Sequence, residues 1–185
     1  MRIIGGIHRG TTLTEVGKGD AAAHLRPTTD RVRENLFNML DGGRFGDPVR
    51  EARVLDLFAG TGVLGLEALS RGAAHATFVD SSRAAQKLIR ANIAKLRRQA
   101  DTTLISADIE KLPAGDACDL IFLDPPYAMN MGQAALQIAL TQGWIAPQAI
   151  IVWEEASAQI APPGFTQLDQ RRYGSTWINV MRHDP

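Results

Sequence analysis

The 185-residue chain predicts an α/β fold: a doubly wound, mostly parallel sheet, preceded by a small hairpin extension and closed by an antiparallel hairpin. Two apolar runs, 53–58 and 120–123, read as strands that crossover helices bury on both faces. Helical patterns alternate with strands through the middle of the chain, the order that builds a parallel sheet. Between the first of these strands and its helix lies the tight turn Ala59-Gly60-Thr61-Gly62.

Taken in order, residues 1–4 and 9–13, separated by glycines, form a short hairpin. Residues 15–23 are rich in glycine and alanine and read as a mobile loop. A helix follows over 28–40, capped by Thr29 or Asp30, with Val32, Leu36, Met39 and Leu40 inward and Gly42-Gly43 as its stop. The strand 53–58 leads through the glycine turn into a helix over 63–71, which Gly72 ends. Strand 75–79 leads into a second helix whose inward face is Ala85, Leu88, Ile89, Asn92, Ile93 and Leu96. Strands at 103–106 and 120–123, a helix at 131–142 and a strand at 149–153 continue the pattern. Residues 165–172 and 176–182, hinged at Gly174-Ser175, make the closing hairpin. The expected division is an N-terminal hairpin and mobile loop over 1–25, an appendage to a catalytic domain over 26–185.

Composition bounds the function. A 45% hydrophobic content on 185 residues supports one substantial core rather than two full domains or a disordered chain. The single cysteine, Cys118, excludes an internal disulfide framework and a multi-cysteine zinc site, and no metal is expected. No signal peptide or membrane-length apolar stretch is visible, so the expected location is cytoplasmic, with no membrane partner. Charge is balanced, 20 basic residues against 20 acidic, but unevenly spread. Between Ser81 and Ala100 stand Arg83, Lys87, Arg90, Lys95, Arg97 and Arg98, and no acid. Their side of the helix reads as a solvated face, with long-range attraction for phosphate as its functional alternative.

Asp124-Pro125-Pro126-Tyr127 follows directly on the apolar run 120–123. Two prolines forbid continuation of the strand, so the acid sits at its carboxyl end, where open α/β sheets bind ligands. The prolines stiffen the backbone, and Tyr127 offers a flat face on which a base can stack. A carboxylate and a carbonyl there suit the hydrogens of an exocyclic amino group on a planar base.

The glycine turn has two readings. Gly60, Gly62 and Gly65 match a dinucleotide fingerprint, with Asp80 closing the next strand at the expected distance. Asp56, inside an otherwise apolar strand, argues otherwise, because a phosphate-binding turn has no use for its charge. It suits the ammonium of a methionine moiety. Asp80 would then take ribose hydroxyls, and Asp108 would accept from an adenine amino group or simply cap the turn after it. Three acids at successive strand ends beside a glycine turn fit S-adenosylmethionine better than NAD.

Beyond these residues the chain resembles a known family. Arg2-Ile3-Ile4-Gly5-Gly6, Arg9-Gly10, Arg26-Pro27-Thr28-Thr29-Asp30-Arg31-Val32-Arg33-Glu34, Asp56-Leu57-Phe58-Ala59-Gly60-Thr61-Gly62 and Asp124-Pro125-Pro126-Tyr127 occur in that order. They are similar to the bacterial small-subunit rRNA guanine-N2 methyltransferases of the RsmD type, and the N-terminal blocks are the most specific. The resemblance implies a Rossmann-like class I S-adenosylmethionine-dependent methyltransferase that acts on guanine 966 of 16S rRNA. Its partner would be an assembled or partly assembled small ribosomal subunit, met as a monomer. Asp124, Pro125, Pro126 and Tyr127 would be catalytic. Asp56, Ala59, Gly60, Thr61, Gly62, Asp80 and Asp108 would hold the cofactor. Arg2, Arg9, Arg26, Arg31 and Arg33 would meet RNA phosphates, with surface solubility as the competing role of the last three. The chain departs from the family in carrying Asp80 where glutamate is usual, and in a less basic segment after Gly6.

Two other functions share parts of this pattern. An adenine-N6 or cytosine-N4 DNA methylase uses the same four-residue motif, yet no segment here would form a DNA-recognition domain. An NAD-dependent oxidoreductase accounts for the glycine turn and Asp80 and leaves Asp56 and Asp124 without a task.

Overall fold

The structure, a computed structural model, describes residues 1–15, 29–126 and 131–185. Arg26, Tyr127 and all but the first residue of the loop expected at 15–23 lie outside the described residues.

Seven strands form one sheet: β1 (Arg53–Leu57), β2 (His75–Val79), β3 (Thr102–Ile105), β4 (Cys118–Leu123), β5 (Ile145–Glu155), β6 (Phe165–Tyr173) and β7 (Thr176–His183). Their order is β3-β2-β1-β4-β5-β7-β6. The first five run parallel, and β7 pairs antiparallel with both β5 and β6. The helices are α1 (Asp30–Asp41), α2 (Val63–Ser70), α3 (Arg83–Leu96) and α4 (Met131–Thr141). The chain winds outward through β2 and β3, then returns to β4 on the other side of β1. Adjacent strands at that reversal leave a crevice at their carboxyl ends, the usual ligand site of such sheets.

Strand residues alternate between two apolar layers. Val54, Phe78, Phe122 and Val152 pack with α1, α2 and α3, while Leu55, Ile121, Leu123 and Ile151 pack with α4 and Trp144. Burial on both faces is why β1 and β4 read as nearly unbroken apolar runs. α3 carries the expected inward face, except that Leu88 is only partly covered, and it ends in a left-handed residue, Arg97, at φ 56°. The longest departure is β5, which begins at Ile145 rather than near Ala149. Its register with β4 is irregular between Cys118 and Leu120, and Gln148 there has φ 66°. Gln148 and the proline before it interrupt the apolar pattern that a periodicity reading needs. Burial pushes the Cys118 thiol up to about 12, consistent with inert packing at the foot of β4.

The N-terminal hairpin is welded to the core. An isolated bridge joins Arg2 to Thr12, and a 3-10 turn, Gly6–His8, reverses the chain. Ile3 and Leu13 are buried in the same apolar layer as α1 and α2. Glu67 of α2, fully buried, accepts from the amides of Ile4 (2.8 Å) and Gly5 (2.7 Å). Ser70 accepts from the His8 amide and donates to the Gly5 carbonyl. The approach leaves no room for side chains: a Cβ on Gly6 (φ +72°) would lie 1.8 Å from the Ser70 carbonyl oxygen. The arm is thus packed as a layer over α2.

Candidate active site

The glycine turn is shaped from both sides. Phe58, Gly60 and Gly62 all have positive φ (58°, 57° and 76°), which folds the chain back from β1 into α2. Gly62 caps α2 and has no side chain to satisfy the first helical amides. Asp56 supplies that acceptor from the adjacent strand: its Oδ2 receives the Gly65 amide at 2.9 Å. Gly65 permits the contact, because a Cβ there would stand 2.5 Å from the Phe78 ring. Asp56 is 2% exposed, and burial pushes its carboxyl up to about 8, the Gly65 amide opposing and Asp80 adding to the shift. Capping is a use for this acid that the sequence pattern did not disclose.

Asp80 ends β2 beside the same turn. Its Oδ2 accepts from the Gly60 amide (2.9 Å) and its Oδ1 from the Ser82 amide (2.8 Å), while burial raises its carboxyl above the ordinary range. Asp108 is exposed and caps the 3-10 turn Ile109–Lys111, its Oδ1 receiving the Glu110 amide at 3.1 Å. Asn92 of α3 donates to the Thr61 carbonyl at 3.0 Å from a fully buried position.

Across the reversal, the register pairs Asp56 with Phe122 and Leu57 with Leu123, so Asp124 emerges at the carboxyl end of β4 beside the turn. Its amide reaches the Leu57 carbonyl at 3.5 Å, Pro125 is buried and Pro126 is exposed. The Asp124 carboxyl is held well above the ordinary range by burial first, then by Glu154, Asp56 and Glu155. Glu154 and Glu155 end β5 and are 5% and 7% exposed. The sequence signal for them was present in two consecutive acids directly after the apolar run 149–153. The arrangement is an acid-rich crevice in which each carboxylate gains by meeting a hydrogen-bond donor or a cation. Among the described residues no group of three His, Cys, Asp or Glu side chains is placed to hold a metal ion.

The family model for conserved hypothetical protein 95 matches residues 1–182. The chain belongs to this family. The ribosomal RNA small subunit methyltransferase D of Escherichia coli is 38% identical over 158 residues, covering 83% of this chain and 74% of the relative. The enzyme of the same name from Haemophilus influenzae is 33% identical over 181 residues, covering 94% and 89%. A solved methyltransferase from Escherichia coli, yhhF, superposes with a TM-score of 0.84 at 32% identity, over 100% of this chain and 98% of that one. The chain is therefore an RsmD-type methyltransferase with the Rossmann-like fold of that group.

Within this family member, the arginines near the N-terminus have unequal surroundings. Arg9 and Arg31 are exposed, and Arg2 is 67% exposed, 3.5 Å from Asp30. Arg33 overturns its expectation as a phosphate contact: it is fully buried. Its guanidinium donates to the Arg2 carbonyl and, at 2.9 Å, to Asp30, so it ties α1 to the arm. No helix of the described residues is long and apolar enough to cross a membrane.

Proposed function

We propose that the protein transfers a methyl group from S-adenosylmethionine to the exocyclic N2 of a guanine in 16S rRNA of the small ribosomal subunit. The target by family resemblance is guanine 966, met by a cytoplasmic, monomeric enzyme in an assembled or partly assembled subunit. The observation that carries the reading is Asp124 at the strand reversal, one strand from the glycine turn and Asp56.

Ala59, Gly60, Thr61 and Gly62 would cradle the cofactor, with Asp56 toward its ammonium, Asp80 toward ribose hydroxyls and Asp108 toward the adenine amino group. The residues fit such a ligand, because Asp56 is a buried carboxyl whose charged form a cation would restore. S-adenosylmethionine supplies a methyl group on a sulfonium. Asp124 and the Pro125 carbonyl accept the N–H groups of the target amine. That draws its lone pair out of conjugation and stabilises positive charge as it develops at nitrogen. The raised Asp124 carboxyl gains these donors where water is scarce, which aligns the amine as well as activating it. Pro125 and Pro126 fix the backbone, and Tyr127, next in sequence, stacks on the extruded base.

The test is incubation with labelled S-adenosylmethionine and small subunits from cells lacking this modification, followed by mapping of the labelled nucleotide. Label at N2 of one guanine, abolished by Asp124→Ala, is expected. Label on duplex DNA with subunits untouched would refute the assignment.

A further inference from the structure

The exposed face of α3 carries Arg83, Lys87 and Arg90 at i, i+4 and i+7, which is one stripe along a helix. Lys95 and Arg97 are also exposed further along the segment, and no acid occurs between Ser81 and Ala100. Among the described residues none of these five cations is in an ion pair; Arg90 makes one long contact of 3.4 Å to Ser106, and Arg98 alone is neutralised, by Asp101. In a chain with equal numbers of acids and bases, six of its 20 cations are concentrated in this segment. α3 opens directly after Asp80, so the stripe begins at the crevice end of the sheet and runs away from it.

We infer that this face binds the phosphodiester backbone of the substrate RNA, as a track outside the methyl-transfer crevice. The inference rests on the reading of the substrate as ribosomal RNA. From Arg83 to Arg90 the stripe spans about 10 Å, at 1.5 Å of rise per residue. Three long cations on successive turns of the helix can meet about three phosphates of one RNA strand. The flexible stems of Lys and Arg follow an irregular backbone without needing base contacts, so the track adds affinity and leaves the choice of guanine to the crevice.

The test is the triple variant Arg83→Gln, Lys87→Gln, Arg90→Gln, assayed on small subunits across salt concentration. At about 0.8 per neutralised phosphate, three lost contacts lower the salt slope by about 2.4. The parent should then lose about 30-fold more affinity than the variant between about 50 and 200 mM salt. KM for subunits rises by at least about 30-fold at the low end, while kcat and S-adenosylmethionine affinity stay unchanged. The charge-matched control Arg50→Gln, Arg53→Gln, Lys111→Gln should resemble the parent. A triple variant with the parent's KM and slope overturns the inference, and so does a control that loses as much. A second probe is Lys87→Cys bearing a tethered iron chelate, selective because the only other cysteine, Cys118, is buried. It should cleave rRNA in the bound subunit, and intact rRNA would overturn the track. Methylation of subunits by the parent reports on the substrate reading itself, so the two failures are distinguishable.

Discussion

The side-chain amide of Asn92 donates to the carbonyl of Thr61 at 3.0 Å, which fastens the glycine turn to α3 from below. The same group donates to the Thr14 carbonyl (3.2 Å) and accepts from the Thr14 amide (2.7 Å). One fully buried side chain thus holds both the glycine turn and the end of the N-terminal arm. The arm and the glycine turn share a support.

Asn92→Ala should therefore weaken cofactor binding although Asn92 is placed behind the turn. The substitution strands the buried Thr61 carbonyl, at about 1–3 kcal/mol for a buried group left unpaired, and releases the half-buried bonds to Thr14. Calorimetric titration should show S-adenosylmethionine affinity reduced about tenfold, with thermal stability lowered. Asn92→Asp keeps the acceptor for Thr14 and loses both donors, so its affinity should fall as well. Parental affinity in both variants would show that the turn holds its shape unaided.

The arm's seat should be costly to disturb. Glu67 is buried, with Arg71 at 2.8 Å and two backbone amides on its carboxylate, and Arg71 itself is paired to Asp41. Glu67→Ala leaves two amides and the Nε of Arg71 without their acceptor, while Asp41 still holds Nη1 of Arg71, and should cost about 1–3 kcal/mol for each buried group left unpaired. Gly6→Ala meets the Ser70 carbonyl at a left-handed φ and should release the turn Gly6–His8. Denaturant unfolding and amide exchange at Ile3 and Gly10 would measure both, and unchanged protection in both variants would refute the docking.

How much was legible in the sequence follows from what each residue answers to. α3 was readable because burial on one face imposes a period, β1 and β2 because burial on both faces leaves an apolar run, and α2 because Gly62 and Gly72, at positive φ, stand on either side of it. Asp56 was legible as an anomaly, and its capping bond was not, because Gly65 lies nine residues away across a turn. Arg33 misled for a related reason. A cation beside other cations reads as surface, while its burial depends on Asp30 and the Arg2 carbonyl meeting it in space. The partners of Glu67 and Asn92 gave no signal, since a single polar residue on an inward helical face has no partner in the pattern.

Stability of the ligand-free protein should fall as pH rises from about 4 to about 8. Burial lifts the Asp56 carboxyl from 3.8 to about 8 in the folded state, and the carboxyls of Asp80 and Asp124 also move up. Between the unfolded and folded values the native protein binds more protons than the unfolded chain, so each rise in pH favours unfolding. Thermal melts from pH 4 to pH 9 should decline and then flatten above pH 8 as far as Asp56 is concerned. Asp56→Asn should remove part of the decline. A melting temperature that rises across this interval would contradict the acid-rich crevice.

Asp56→Asn also separates the capping bond of that side chain from its proposed role at the cofactor. An amide oxygen can still accept from Gly65, so the α2 cap and the fold should survive, whereas the charge for a cofactor ammonium is gone. A hydrogen bond to a charged group contributes about 1.5–3 kcal/mol, so S-adenosylmethionine affinity should fall about 10- to 100-fold. S-adenosylhomocysteine carries the same ammonium and should lose a similar factor. Methylthioadenosine lacks the amino-acid portion and should bind the parent and the variant alike, which controls for any distortion of the turn. Equal losses for all three ligands would assign Asp56 to shaping the turn alone, and no loss for any of them would remove it from the cofactor site.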